Sequence, residues 1–382
     1  MIKTFRTSGL LITTPDGVTQ FTDNTDSHEV APIYVNDWSF FWDILMGYDL
    51  GFAKSYLYKK WDHPNLTELF EHLARRTTGR QFNSLNRLAP VKLSSRIVQM
   101  IRSINTIGQS RKNISDHYDL GNEFFSKILD PTLTYSCGIF EEDSDSLEKG
   151  QQLKVNTLLE AASIEKGSKI LDIGCGWGNL AVTAASHYET EVLAATISNN
   201  QWDYTRNMVN GLNLEHLVDV QLVDYRELEG SFSHIFSVEM LEAVGHRGIS
   251  TFFKKCQTLL RPSGTIQIQV ITIPDERYDS YKRNCDFIQK YIFPGGQLVS
   301  LEVLRRAAKD AGFQIYREVS IGFHYATTLK MWRDNLLSNW ESIMRDGFKE
   351  PDLRRFLYYF HYCEGAFRSG HIDDYQVSLS KI

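Results

Sequence analysis

Residues 171–178 read LDIGCGWG, an apolar run interrupted by one acid and followed by three glycines at alternate positions. Leu171, Asp172 and Ile173 read as the end of a strand. Gly174, Gly176 and Gly178 then predict a tight turn into a helix starting at NLAVTAASH. Glycines at such a turn allow backbone geometry and close approach that a Cβ would forbid. Tight packing of the turn alone would also account for them. Two features argue against a dinucleotide site. The G-x-G-x-x-G spacing is absent, and the next strand ends in AATIS without the acid that would hold an adenosine ribose.

Outward from this turn the pattern alternates. KILDIG, EVLAATIS, VDVQLVDY, SHIFSVEM and TIQIQVITI read as strands, with NLAVTAASHY, QWDYTRNMVNGL and STFFKKCQTLL as helices between them. Such alternation predicts an α/β fold, a doubly wound and mostly parallel sheet of the Rossmann-like kind, preceded by a small α+β N-terminal domain. Ligands of these sheets lie beyond the carboxyl ends of the strands, here after Ile173, Thr196, Val223, Val238 and Val270. Asp172 before the glycines and Asp224-Tyr225 at a later strand end are the arrangement of a class I S-adenosylmethionine-dependent methyltransferase. The sulfonium of that cofactor makes its methyl electrophilic, so the protein supplies placement and an acceptor.

Of 382 residues, 42% are hydrophobic, enough for one large domain and a smaller one. No run approaches the length of a membrane span and the apolar segment at the start is too short for a signal peptide, so the cytoplasm is the expected address. The five cysteines (Cys137, Cys175, Cys256, Cys285, Cys363) lack zinc-site spacing and read as thiols, with no metal site expected. A formal charge of -6 argues against a nucleic-acid partner. The charge is uneven: from Arg75 to Lys112 there is no Asp or Glu, while Arg75, Arg76, Arg80, Arg87, Lys92, Arg96, Arg102, Arg111 and Lys112 are cationic. This stretch reads either as a solvated linker or as a segment lying against an anionic membrane. The division is therefore 1–74, a small lipid- or membrane-associating domain; 75–112, a basic linker; and 113–382, the catalytic domain. In the first of these, Leu66, Leu69, Phe70 and Leu73 recur at helical spacing.

Several separate motifs, DHYDLGNEFFSKILDPTLTYSCGIF, LDIGCGWGNLA, ATISNNQ, DYRELEG, SVEMLEAVGH, KYIFPGGQL, YATTLKMW and YCEGAFR, resemble in order the cyclopropane fatty acid synthases and mycolic acid cyclopropane synthases. The resemblance spans nearly the whole chain. GYDLGFAKSYLYKKWDHPNLTELFEHL and QVITIPDERYD are similar to the longer, plant-type branch. It implies that Tyr135 and Ser136 hold the methionine end of S-adenosylmethionine above Gly174, Cys175, Gly176, Trp177 and Gly178. Thr196 and Gln201 would take the ribose, while Asp224, Tyr225 and Arg226 flank the adenine; a cap or turn role is the plainer reading of Thr196 and Gln201.

The resemblance further implies a bound bicarbonate ion as base, with Cys137, Glu242, the backbone of Ile271 and Tyr325 as its ligands. Without it, Cys137 reads as a small buried thiol and Tyr325 as a core aromatic. Glu242 is a carboxylate at an apolar helix start, where burial raises its pKa. Gln269 stands where many members of the family have His. An amide can orient a neighbour but cannot titrate near neutrality. Cys363 matches a cysteine sometimes assigned catalysis, although packing is the plainer role, and His117 reads as a helix cap or core residue.

The implied reaction is transfer of a methyl to the cis double bond of a phospholipid acyl chain. Aromatic faces, dense at 281–293 and 356–367, would stabilise the cation, and loss of a proton from the added methyl would close a cyclopropane ring. The resemblance also implies a homodimer associated with the inner face of a membrane. Two other readings remain: mid-chain methylation of an unsaturated lipid or other acceptor without ring closure, and a non-catalytic cofactor-binding protein at the membrane.

Overall fold

The computed structural model describes residues 10–21, 31–77 and 121–382. The linker expected at 75–112 therefore lies, beyond Thr77, outside the described residues, as does His117.

The large sheet has seven strands: β5 (Lys169–Ile173), β6 (Glu191–Thr196), β7 (Val218–Leu222), β8 (Phe232–Val238), β9 (Leu260–Thr272), β10 (Phe313–Ser320) and β11 (Asp373–Lys381), in spatial order β10-β11-β9-β8-β5-β6-β7. From β9 through β7 all pairings are parallel. The two C-terminal strands are antiparallel, β11 inserting between β9 and β10. Strand order reverses between β5 and β8, so the crevice beyond their carboxyl ends is the switch point of a doubly wound sheet. β5, β6 and β8 end where the sequence predicts; β7 stops one residue earlier and β9 runs two further.

Helices α4 (Leu147–Ala162), α5 (Asn179–Tyr188) and α6 (Asn199–Gly211) share a core with one face of the sheet through Val155, Leu159, Leu180, Ala184 and Val209. On the other face α7 (Leu241–Leu259) and α9 (Leu301–Asp310) bury Phe252, Phe253, Cys256, Leu304 and Ala308. Ser146, Ser198 and Ser300 cap α4, α6 and α9, each accepting a backbone N–H of the first turn.

A third core lies over the carboxyl edge of the sheet. It joins α3 (Asn122–Ile128), α10 (Gly322–Ser338), α11 (Trp340–Arg345) and α12 (Glu350–Arg368) to the N-terminal elements, with α8 (Asp275–Tyr281) beside it. Those elements are a four-stranded sheet, β2-β1-β3-β4 (β1, Leu11–Thr13; β2, Thr19–Phe21; β3, Ile33–Val35; β4, Trp61–Asp62), with α1 (Ser39–Leu57) and α2 (Leu66–Thr77). The predicted stripe on α2 is present: Leu66, Leu69 and Phe70 are buried and Leu73 packs against the same core. The helix sits against α12 at Gly365, whose missing Cβ would stand 2.7 Å from Glu71 N and 2.9 Å from Thr67 O. Polar bonds fix the contact. Thr67 donates to the buried Glu364 at 2.9 Å, and Arg354 bonds Tyr56 O at 2.8 Å and Asp62 at 2.7 Å. Glu364 is also paired with Arg333 and Arg368, which satisfies its buried charge. Among the described residues no helix is long and apolar enough to cross a membrane.

Candidate active site

A cavity of about 470 Å³ opens at the switch point and runs under the helical layer. Its floor is the glycine turn. Gly174, Gly176 and Gly178 have φ of 81°, 55° and 88°, in the left-handed region where a side chain is strained. A Cβ on Gly174 would meet Met240 at 2.7 Å and one on Gly178 would meet Thr205 at 2.5 Å, whereas Gly176 faces open space. Gly174 and Gly178 close the packing of the turn, and Gly176 between them leaves room for a ligand.

Asp172, the next-to-last residue of β5, lies beneath this turn, 2% exposed, with Oδ2 lacking any hydrogen-bond partner among the described residues. Burial pushes its carboxyl up to about 7, against the pull of nearby Lys154. An orphaned buried carboxylate beside an open glycine turn fits the ammonium group of S-adenosylmethionine. Tyr135, Ser136, Cys175, Trp177, Thr196, Gln201, Asp224, Tyr225 and Arg226 line the same cavity. Several are already tied together. Thr196 Oγ1 donates to Gln201 Oε1 at 2.8 Å; Asp224 caps the turn at Tyr225–Glu227 and takes two bonds from Arg226 at 2.7 Å. Thr196 and Gln201 thus brace one another. Arg226 likewise holds Asp224 in place, and the Tyr225 ring stands beside that pair. Trp177 donates to Asn122 at 2.9 Å and packs on Phe125, locking the turn to α3.

One contributor was not expected from sequence. Lys154 on α4 is 2% exposed and donates to Ser136 Oγ at 2.9 Å. Burial lowers its pKa, against the pull of Glu239, Asp130 and Asp374. Its position on an amphipathic helix gave no sign of this, because the burial comes from the loop carrying Tyr135 and Ser136.

The other wall holds the residues assigned to the anion. The resemblance groups Cys137, Glu242, Ile271 and Tyr325; the structure brings Cys137 and Tyr325 together with Gln269, around a different carboxylate, Glu239. Glu239 Oε1 accepts from Cys137 N–H at 2.8 Å and from Gln269 Nε2 at 2.9 Å, and Oε2 accepts from Tyr325 O–H at 2.5 Å. Glu242, one turn further on, instead accepts from Ile271 N–H at 2.6 Å, and its second oxygen is buried without a partner. Burial and the neighbouring Glu239 push Glu242 up to about 8, so at neutrality it is mainly protonated. The Cys137 thiol points away, toward Gly138 O and Ile321 O, and burial holds it neutral. Cys137 meets this wall through its backbone N–H.

Gln269 is fully buried on β9 and also donates to Asp374 Oδ2 at 3.1 Å and to Cys137 O at 3.3 Å. Asp374, beside it on β11, is driven well above the usual carboxylate range by burial. It carries the proton, because one of its oxygens has no partner whereas Glu239 has three donors. Glu239 was legible as the first residue beyond β8, the place where site residues of such sheets fall, but Glu242 in the same SVEMLE run drew the assignment.

Between these walls the cavity is aromatic and apolar. Tyr135, Phe293 and Tyr359 meet at ring distances near 6 Å, with the two tyrosine hydroxyls 3.4 Å apart. Tyr325 stacks on Phe367 at 4.5 Å. Ile271, Ile273, Ile288, Leu298, Leu329 and Ala366 also line it, with polar groups that include Arg277, Asp286 and His371. Cys363 lies in this end, its thiol held neutral by burial and by the nearby Asp286 carboxylate.

The fold and the glycine turn define a class I S-adenosylmethionine-dependent methyltransferase. Residues 106–377 match the mycolic acid cyclopropane synthetase family. The chain belongs to this family and is an S-adenosylmethionine-dependent methyltransferase of the cyclopropane synthase type. It is 34% identical to the cyclopropane-fatty-acyl-phospholipid synthase of Escherichia coli strain K12 over 92% of this chain and 88% of that one. It is 35% identical to the tuberculostearic acid methyltransferase UfaA1 of Mycobacterium tuberculosis over 86% and 78%. Among solved structures, the cyclopropane synthase MmaA2 of Mycobacterium tuberculosis superposes with a TM-score of 0.67 at 30% identity, over 71% of this chain and 98% of that one.

Proposed function

We propose that the protein transfers the methyl of S-adenosylmethionine to a cis double bond in a phospholipid acyl chain and closes a cyclopropane ring. The observation that carries this reading is one continuous cavity. It has the glycine turn and Asp172 at one end, an aromatic and aliphatic lining at the other, and the Glu239 carboxylate between them. When bound, S-adenosylmethionine supplies an electrophilic methyl, which the alkene accepts as the sulfur leaves with the bonding pair, placing a positive charge on the chain. Asp172 and the glycine turn orient the cofactor. Tyr135, Phe293 and Tyr359 present faces that stabilise the cation and exclude water. Removal of a proton from the added methyl then forms the second carbon–carbon bond.

The resemblance assigns that proton to a bound bicarbonate. The residues present do not fit it as an added ligand: two of its expected donors, Cys137 N–H and Tyr325 O–H, are bonded to Glu239, and the third, Ile271 N–H, to Glu242. Proton removal is therefore assigned to this wall of the cavity without a bicarbonate step.

A lipid substrate places the protein at a membrane surface. Trp38, Trp42, Leu45 and Met46 form an exposed apolar stripe at and after the start of α1, which supports peripheral contact, as does the run of cations from Arg75 to Lys112. Homodimers at the inner face of the membrane would make two such contacts at once. Replacing Trp38 and Trp42 by Ser, or neutralising Arg75, Arg76, Arg80 and Arg87, is expected to weaken co-sedimentation with anionic vesicles. Unchanged sedimentation would contradict the membrane assignment.

Methylation without ring closure is the second reading, favoured by the similarity to the tuberculostearic acid methyltransferase. The two separate in proton NMR of fatty acids released from monounsaturated phospholipid vesicles after incubation with S-adenosylmethionine. Upfield cyclopropyl methylene signals support ring closure, whereas methyl-branch or methylene signals support the second reading.

A further inference from the structure

Glu239 stands in a place that ordinary backbone preferences would give to glycine. Its φ is 49°, and it is the first residue beyond β8, at the switch point of the sheet. A glutamate persists in that region only where its surroundings over-determine it. They do so from both ends: its backbone N–H donates to Gln269 O at 2.8 Å, and its carboxylate takes three bonds from Cys137 N–H, Gln269 Nε2 and Tyr325 O–H. Glu239 is part-buried as a residue and lines the cavity, which places its carboxylate beside whatever occupies it.

We propose that the Glu239 carboxylate takes the place of bicarbonate and is itself the base that removes the methyl proton, so that this enzyme needs no dissolved bicarbonate. This rests on ring closure as the reaction. A C–H bond of the transferred methyl breaks and its electron pair forms the bond to the cationic chain carbon. The proton goes to Glu239, which returns it to water before the next turnover.

Gln269 fits this role better than a histidine would. The amide donates to Oε1 without bringing a proton of its own that Glu239 would compete for. A bicarbonate ion entering the same wall would have to displace all three bonds while lying against a like charge, which the site disfavours. The arrangement thus has both a positive and a negative element: donors placed for a carboxylate, and a carboxylate that excludes the dissolved anion.

The test compares the full-length wild type with Glu239→Gly, which relieves the backbone and opens the wall. Glu239→Gln serves as an isosteric control, and S-adenosylhomocysteine binding by calorimetry shows that each variant is folded. Titrated into ¹³C-bicarbonate, wild type is expected to leave the NMR line unchanged and Glu239→Gly to broaden it. In carbon dioxide-depleted buffer, wild-type turnover is expected to be independent of added bicarbonate, and Glu239→Gln to lose about 10²- to 10⁴-fold, the worth of a general base. Glu239→Gly turnover is expected to recover with added bicarbonate. Bicarbonate binding by the wild type, or wild-type turnover that falls when carbon dioxide is removed, would overturn the proposal. Should the wild type leave phospholipid unmodified, the substrate reading fails, while the ¹³C comparison still decides whether Glu239 holds the anion site.

Discussion

The two walls of the cavity are built by opposite means. The cofactor wall is made of backbone, a strand end and a turn whose three glycines lie within five residues of one another. The proton-accepting wall is made of side chains and one N–H gathered from far apart: Glu239 is 102 residues from Cys137, 30 from Gln269 and 86 from Tyr325. A ligand that must be approached closely along its length is served by bare backbone. A proton that must be taken at one point is served by a single carboxylate with its charge fixed by donors. The first wall tolerates no added atoms at Gly174 or Gly178, and the second tolerates no change of hydrogen-bonding type.

That contrast can be broken most sharply at Gly178. A Cβ there stands 2.5 Å from Thr205 at a φ of 88°, so Gly178→Val is expected to displace the turn and cost about 10²-fold or more in turnover. Calorimetry with S-adenosylhomocysteine should show the loss as binding. On the opposite wall, Tyr325→Phe keeps the ring stacked on Phe367 and removes only the donor to Glu239. A hydrogen bond to a charged group is worth about 1.5–3 kcal/mol, so kcat should fall by about 10- to 150-fold. The KM for S-adenosylmethionine should stay unchanged, and a rise in it would erase the distinction between the walls.

Asp172 sharpens the comparison through pH. Burial raises its carboxyl from 3.8 to about 7, so the folded protein holds this proton where the unfolded chain has released it. Between those values the group costs the empty protein increasing stability as pH rises. An ammonium ligand binds the ionised form, so S-adenosylhomocysteine affinity should be flat above pH 7 and weaken by about tenfold per unit below it. Affinity independent of pH across that range would remove Asp172 from the cofactor site. The smallest effect is expected at Cys363: Cys363→Ala should leave turnover unchanged, because its thiol is held neutral by burial. A large loss there would restore it as a participant.

The same contrast explains what could be read from the chain alone. The glycine turn, the strands from β5 to β9 and the ligand-bearing strand ends are local patterns, and Lys169–Ile173, Glu191–Thr196 and Phe232–Val238 end where alternation predicts. Cys137, Gln269 and Tyr325 were reached through resemblance, since a buried thiol, an amide and an aromatic carry no sign of chemistry in sequence. Glu239 cannot be told from Glu242 in the sequence, because what distinguishes them is spatial. Both acids lie in SVEMLE, but only one faces three donors, and the other is bonded to Ile271 N–H. Lys154 and Asp374 were hidden for the same reason, each buried by an element distant in sequence. The seat of α2 on α12 depends on Gly365, a glycine inside a helix whose purpose shows only when the partner helix is in place.

The most direct test of the account is incubation with S-adenosylmethionine carrying a fully deuterated methyl group, followed by mass spectrometry of the released fatty acids. Proton removal from the methyl by Glu239 predicts that the product retains two of the three deuterons. A product retaining all three would mean that the proton left the chain instead, and would contradict ring closure and the role of Glu239 together.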